Sequence, residues 1–174
     1  CSTASNQVDK YVIWNYQENL WYTGSLDRST WVDSGTYPLP YATKYDGTNS
    51  TLLIHESGKD DDGSTMTSFI ESGDFDIGDG DDILFINKLI PDFKGQVGNV
   101  NISLKSRYFP TDTQTTKGPF RYSASSTKIN TRTRGRQVAV RLESNGFNDI
   151  NNDAIGEDWR LGTIRFEVQP DGKR

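Results

Sequence analysis

The sequence contains a single cysteine, Cys1, a single histidine, His55, and a single methionine, Met66. With one cysteine, the 174-residue chain can form no internal disulfide and no cysteine-based metal site. No apolar run reaches about 18 residues, which excludes a membrane-spanning helix, so no membrane partner is expected. A Gly-x-Ser-x-Gly elbow, a His-Glu-x-x-His motif, a phosphate-binding loop and a dinucleotide fingerprint are also missing. These absences argue against most enzyme classes, and we expect no cofactor.

The composition indicates a folded protein with a polar surface. Hydrophobic residues make up 33% of the chain and charged residues 25%. Disorder is excluded because there are 4 Trp, 8 Tyr and 8 Phe, and each ring favours burial of a large apolar area. The net charge of −5 is divided into −11 over residues 1–93 and +6 over residues 94–174. Opposed charges of this kind favour either head-to-tail docking of subunits or two solvated faces without a partner.

Turn-forming residues divide the sequence into short runs of alternating polarity. Two aromatic runs, residues 11–16 and 20–23, predict a β-hairpin. Further strands are predicted at residues 51–56, 67–72, 83–90, 100–107, 137–143 and 161–168. No window of about 11 residues keeps the apolar spacing of an amphipathic helix. The predicted fold class is therefore all-β.

A shift in composition at the acidic residues 59–64 predicts a domain boundary near residue 63. Residues 1–63 are rich in aromatics but too few for an independent core without a disulfide. We expect them to pack on the second part or to complete a sheet in a larger assembly. Residues 64–174 have the size and strand number of an antiparallel β-sandwich. Within them, the Thr- and Ser-rich residues 111–127 are weakly patterned and predict a long mobile loop.

Two acidic segments have the oxygen-rich composition that Ca²⁺ prefers. Residues 74–82 do not match the EF-hand pattern. Asp149, Asn151 and Asp153 occupy its first, third and fifth positions, although the turn glycine and the final bidentate acid are missing. Turn geometry alone also favours Asp, Asn and Gly at such places. Calcium binding by these three residues is therefore one hypothesis, and ordinary β-turns are the other.

The most distinctive basic feature is an alternating set of arginines. In an extended strand Arg132, Arg134 and Arg136 would share one face. Guanidinium groups so placed repel one another unless carboxylates or phosphates meet them. One interpretation is an interface or a phosphate-facing role, such as lining a passage for DNA. The interpretation that we favour is pairing with the acids of residues 71–82.

The aromatic residues between positions 11 and 45 also allow two interpretations. Trp14, Trp21 and Trp31 could stack on sugars in a carbohydrate-binding module, but such clusters more often form core, and we favour a core role. Glu56 beside His55 is the candidate acid–base pair, which only a carboxylate glycosidase would use. A histidine at a strand end is more commonly a surface or hydrogen-bonded residue.

Several stretches resemble a known group of proteins. These stretches are residues 9–16, 21–24, 30–33, 70–80, 134–144, 159–162 and 165–174. The residue patterns of these stretches, and their order along the chain, resemble the C-terminal region of large structural proteins of tailed bacteriophages. The resemblance covers nearly the whole chain and carries no catalytic signature.

This resemblance implies a non-enzymatic neck or tail component of a virion, of the nozzle or hub group, with propeller-like β-sheet. The aromatic hairpin would then resemble a propeller blade that precedes the sandwich. The implied partners are other copies of the chain, other virion proteins and packaged DNA, and the implied location is the virion. Those proteins are several times longer, which leaves open whether the chain is a fragment, a truncated viral reading frame or a free-standing relative. The start at Cys1 favours a segment cut from a larger polypeptide, and the alternative is the acylated end of a lipoprotein. A carbohydrate-binding β-sandwich, stabilised by calcium, is the alternative function.

Overall fold

A computed structural model describes residues 8–144 and 156–173. The chain divides into two compact units, Cys1–Gly58 and Lys59–Arg174, called here the N-terminal and the C-terminal unit. Within the described ranges there are twelve β-strands, one 3-10 turn and no α-helix. The predicted all-β class is therefore confirmed. No helix in these ranges is long and apolar enough to cross a membrane.

The N-terminal unit begins with the predicted aromatic hairpin. Strand β1 (Lys10–Asn15) pairs antiparallel with β2 (Leu20–Ser25), in the register Lys10↔Ser25 to Asn15↔Leu20. The Oδ1 atom of Asn15 accepts hydrogen bonds from two backbone amides of the turn, at 3.1 and 3.3 Å. Asn19 has the left-handed φ of 54° that closes the turn and that asparagine tolerates well.

A second small sheet completes this unit. Strands β3 (Thr30–Val32), β4 (Tyr41–Tyr45) and β5 (Ser50–Ile54) pair antiparallel in that order. The turn between β4 and β5 is held by Asp46, whose carboxylate accepts the amides of the second and third following residues at 2.8 and 2.7 Å. These hydrogen bonds favour the charged form and hold the pKa of Asp46 below its ordinary value. β5 confirms the strand predicted near residues 51–56.

The C-terminal unit is the predicted antiparallel sandwich. Its strands are β6 (Phe69–Glu71), β7 (Asp82–Val97), β8 (Asn99–Arg107), β9 (Thr115–Ser123), β10 (Ile129–Gly135), β11 (Gln137–Ser144) and β12 (Asp158–Lys173). One sheet has the order β10-β7-β12 and the other β6-β11-β8-β9, with every pair antiparallel. Two antiparallel sheets that face each other are the arrangement that alternating strands favour.

The core of this unit lies between its two sheets. The first sheet contributes Leu84, Ile86, Leu89 and Ile129, and the second contributes Val100, Ile102, Leu104, Tyr122, Val138, Val140 and Leu142. β10 alternates buried and exposed residues along its whole length, as expected of a strand with one face on a core. The apolar face of each sheet is thus removed from water by the other sheet.

The chain passes from one sheet to the other through very short connections. β7 and β8 are separated by Gly98 alone, which has a φ of 78°, a conformation that glycine adopts without strain. β10 ends at Gly135, where an added Cβ would lie 3.0 Å from the Cβ of Ser106 and 3.1 Å from the carbonyl oxygen of Arg107. Glycine at this position therefore lets β10 approach β8 closely.

The prediction of a mobile loop over residues 111–127 is wrong, because β9 occupies most of this stretch. β9 pairs with β8 in a register that places Val100 opposite Tyr122 and Ile102 opposite Phe120. Tyr122 is buried, and burial raises the pKa of its hydroxyl. The β-branched threonines that weakened the apolar pattern favour an extended backbone, and the two rings fix the strand to the core.

Truncation of the core should weaken the C-terminal unit strongly. Leu104 is 1% exposed and belongs to the core cluster. We expect Leu104→Ala to lower the free energy of unfolding by about 2–5 kcal/mol, because a cavity remains where the side chain was. Val97→Ala, on a half-exposed side chain of β7, should cost less than about 1 kcal/mol. Urea denaturation followed by circular dichroism measures both, and equal losses would contradict this assignment of the core.

Candidate functional surfaces

The first candidate surface is one face of the aromatic hairpin, formed by Val12, Trp14 and Trp21 and called here the indole face. Trp14 lies opposite Trp21 in the register, and their rings stack with centroids 5.8 Å apart and planes 19° apart. The indole nitrogen of Trp14 donates to Oδ1 of Asn19 at 3.4 Å. Trp14 is 53% exposed and Trp21 66%, so this face presents a large aromatic area to its surroundings.

The opposite face of the same hairpin is also apolar. Tyr11 and Ile13 lie on it, opposite Gly24 and Tyr22 of β2, and all three large side chains are exposed. The Tyr11 ring fills the space above Gly24, because a Cβ there would lie 2.3 Å from its ring atoms. A sheet in water normally has at least one polar face. In this hairpin the indole face combines apolar side chains with Lys10, Thr23 and Ser25, and the opposite face is mainly apolar.

The three-stranded sheet of the N-terminal unit repeats the pattern on one side. Val32, Leu52 and Ile54 occupy the same face as Tyr41 and Tyr45 according to the register of β3, β4 and β5. Val32, Leu52, Ile54 and Tyr45 are exposed. An apolar sheet face of this kind is typical of a surface that another layer covers.

The expectation that these aromatics form a core is wrong. Trp31 is 47% exposed, similar to the other two candidate tryptophans. In the described part of the N-terminal unit the buried residues are Pro40 and Ala42. Sheets of two and three strands can bury a face only against another layer, and in this chain the indoles remain open.

The acid–base candidates lie at the end of β5. Nε2 of His55 accepts a hydrogen bond from Nε of Arg28 at 3.0 Å, and the imidazole lies against Trp31 with ring centroids 4.5 Å apart. Glu56 has a left-handed φ of 57°, which places it in the turn that ends the strand. The histidine is thus held by an arginine and an indole, which is the structural role that the sequence favoured for it.

The arginine set is divided by the structure. Arg132 and Arg134 occupy exposed positions of β10, as predicted, but Arg136 lies beyond the end of the strand. Its Nε donates to the carbonyl oxygen of Gly80 at 2.6 Å. The expected pairing with acids of residues 71–82 is wrong, because Nε of Arg134 contacts Oδ2 of Asp171 at 2.6 Å. β12 rather than the acidic turn supplies the carboxylate.

The second candidate surface is an open cleft of about 560 Å³ beside β10, called here the basic cleft. Four cationic side chains line it, from Arg107, Lys117, Arg132 and Arg134, together with the carboxylate of Asp112. The cleft lies where β8 ends and β9 begins. Its charge makes it a candidate site for anions.

The acidic segments give no metal site in the described ranges. No group of three or more His, Cys, Asp or Glu residues there could hold a metal ion. The carboxylate of Asp74 accepts hydrogen bonds from Nη2 of Arg107 and, at 3.0 Å, from Nε2 of Gln114. The calcium hypothesis for Asp149, Asn151 and Asp153 falls outside the described residues and stays a hypothesis.

A network of charged side chains covers the outer face of the sheet β6-β11-β8-β9. Glu71 accepts hydrogen bonds from Nζ of Lys105 at 2.5 Å and from Nη1 of Arg141 at 2.9 Å. Arg141 also donates to Glu143 at 2.8 Å and lies 4.0 Å from the ring centroid of Phe69. The hydrogen bonds from Lys105 and Arg141 hold the pKa of the Glu71 carboxyl below its ordinary value of 4.5.

No family model matches the chain, and no curated protein matches it. The functional argument therefore depends on the two candidate surfaces, and the origin in a phage neck or tail stays a prediction.

The network around Glu71 predicts a pH-dependent stability. Because the pKa of Glu71 is lower in the folded protein than in the unfolded chain, its contribution is present above pH 4.5 and is lost as the pH falls through the lowered pKa. We expect Glu71→Gln to cost about 1 kcal/mol at pH 7. The difference from the wild type should shrink below pH 4.5, as measured by urea denaturation.

Asp62→Asn is the matched control, since both residues tolerate the left-handed φ of 52° at this exposed turn. Its effect should be small and should not follow the titration of Glu71. A cost of Glu71→Gln that is the same at pH 3 and pH 7 would contradict the role of the charged network.

Proposed function

We propose that the chain is a non-enzymatic structural protein that assembles with other protein subunits, as a neck or tail component of a tailed-phage virion. The observation that carries the proposal is the exposure of large apolar side chains on the sheets of the N-terminal unit. These include the indole face, the Tyr11, Ile13 and Tyr22 side of the hairpin, and the Val32, Leu52 and Ile54 face. Surfaces of this kind mark protein–protein contact.

The hairpin in particular favours completion by another protein. A two-stranded hairpin alone is marginally stable in water, and here both faces carry large apolar side chains that are exposed. Apolar layers packed on both faces would remove Trp14, Trp21 and Tyr22 from water, and each large side chain contributes about 1.5–3 kcal/mol when fully buried. Association with other subunits supplies such layers.

The sheet edges offer a second means of assembly. β1 and β2 pair only with each other, and β3 and β5 each have one neighbour in the described residues. Unpaired backbone amides and carbonyls along such edges can accept further strands from another chain.

The phage assignment depends on the resemblance of residues 9–16, 21–24, 30–33, 70–80, 134–144, 159–162 and 165–174. On this proposal the partners are other copies of the chain and other virion proteins, and packaged DNA is a further contact. Detection of this chain by mass spectrometry in purified particles of the phage that encodes it tests the location. Its absence from the particles while it is present in infected cells would contradict it.

Assembly through the indole face predicts a measurable loss on mutation. We expect sedimentation velocity and mass photometry to show oligomers of the chain at about 100 µM, because an interface with a Kd of about 1 µM would be largely occupied at that concentration. Val12→Thr with Trp21→Ser should weaken association about tenfold or more, because truncating a central interface Trp commonly costs about 2 kcal/mol.

The matched control is Met66→Ser, which removes an exposed apolar side chain of the C-terminal unit. It should leave association unchanged. Far-UV circular dichroism establishes that both variants keep the β spectrum. A chain that stays monomeric over this range, or equal weakening by both variants, would contradict assembly through the N-terminal unit.

A carbohydrate-binding module is the second candidate, favoured by the exposure of Trp14, Trp21 and Trp31. Exposed indoles can stack on sugar rings, and Asn15 and Glu18 beside the hairpin supply polar groups. The mutual stacking of Trp14 and Trp21 occupies one side of each ring. A glycan array probed with the wild type and with Trp21→Ala tests this function. Binding that the substitution abolishes would favour a carbohydrate-binding module, and no binding would exclude it for the glycans on the array.

A further inference from the structure

The basic cleft lies between two edge strands of the C-terminal unit. β10 is the first strand of the order β10-β7-β12, and β9 is the last of β6-β11-β8-β9. Arg132 and Arg134 line the cleft from β10, and Lys117 lines it from β9. Its volume of about 560 Å³ is within the range of small-molecule sites and exceeds what a single phosphate group needs.

Two of the four cations are already paired. Arg107 contacts the carboxylate of Asp74, and Arg134 contacts that of Asp171. For Arg132 and Lys117, no carboxylate in the described ranges lies within ion-pair distance. Positive charges that line the same cleft repel one another. An anion that binds among them lowers this electrostatic free energy.

Asp112, the acidic residue that lines the cleft, offsets only one of the four positive charges in the lining. Oδ2 of Asp112 accepts the backbone amide of Phe109 at 3.0 Å, and the Asp112 amide donates to the Phe109 carbonyl at 3.0 Å. This carboxylate therefore closes a turn. The lining retains an excess of positive charge in a protein whose net charge is −5, so the attraction for anions is local to the cleft.

Uncharged donors lie next to the cations. Thr113 and Thr115, whose side chains carry hydroxyl groups, line the same cleft. Hydroxyls and guanidinium groups together are the usual donors to phosphate oxygens. Tyr108 also lines the cleft and is 44% exposed, which gives an aromatic surface on which a base can stack.

We propose that the basic cleft binds a ligand with several phosphate groups, in which Arg132 and Lys117 are the principal cationic contacts. The shared chemistry is a chain of phosphates, either along a single-stranded oligonucleotide or in a free polyphosphate. This site is separate from the apolar faces of the N-terminal unit. A negative result for phosphate binding would leave the proposed assembly function unaffected. A negative result for assembly would likewise leave the phosphate site unaffected.

The test is fluorescence anisotropy of the full chain with a fluorescein-labelled oligothymidylate, and tripolyphosphate as competitor. We expect binding at low salt, and Lys117→Gln with Arg132→Gln should weaken it about tenfold or more. The slope of log K against log salt should fall by about 1.4, because each lost phosphate contact on a single strand contributes about 0.7. Unchanged thermal unfolding would establish that these exposed substitutions leave the fold intact.

The matched control is Arg160→Gln with Arg165→Gln, which removes the same charge from exposed positions of β12. It should keep the wild-type affinity and salt slope. Competition by tripolyphosphate at equal phosphate concentration would identify free polyphosphate as a sufficient ligand, and weak competition would identify the strand; both support the site. No binding of either probe, or equal losses in both double variants, would overturn it.

Discussion

An apolar sheet face in water needs a second layer, and this requirement separates the two units of the chain. In the C-terminal unit the layer is present: Ile86 and Leu89 of one sheet meet Ile102 and Leu104 of the other. Burial between the sheets is the main favourable term for such a fold. In the N-terminal unit the same kind of residue is exposed on the hairpin and on the three-stranded sheet. The proposed assembly with other subunits would supply the missing layer.

Much of the fold follows from local patterns. β8 and β11 alternate apolar and polar residues, and their strands lie where the alternation predicts them. β9 was missed because a strand at the edge of a sheet can carry threonine and lysine on its outer face. Strand β3 was also not predicted, since three residues are too few for a periodic signal.

The candidate surfaces were harder to predict, because they depend on contacts between residues distant in sequence. The spacing of Arg132 and Arg134 predicts a shared face, but no pattern indicates that Asp171 of β12 pairs with one of them. Arg136 does not share the face of Arg132 and Arg134, because the chain passes from β10 of one sheet to β11 of the other at this residue. The exposure of Trp21 could not be predicted either. Aromatic rings favour burial, but the composition does not show whether they are buried within the chain.

The outer face of the sheet β6-β11-β8-β9 in the C-terminal unit is charged, unlike the apolar sheet faces of the N-terminal unit. Its outer face around Arg141 is covered by ion pairs and a cation–π contact, which satisfy the charges within the sheet. Association over that face would desolvate Glu71 and its partners without supplying better ones. Such charged faces oppose nonspecific packing of sheets. The proposed contact with other subunits is therefore argued from the apolar faces of the N-terminal unit and not from this charged face.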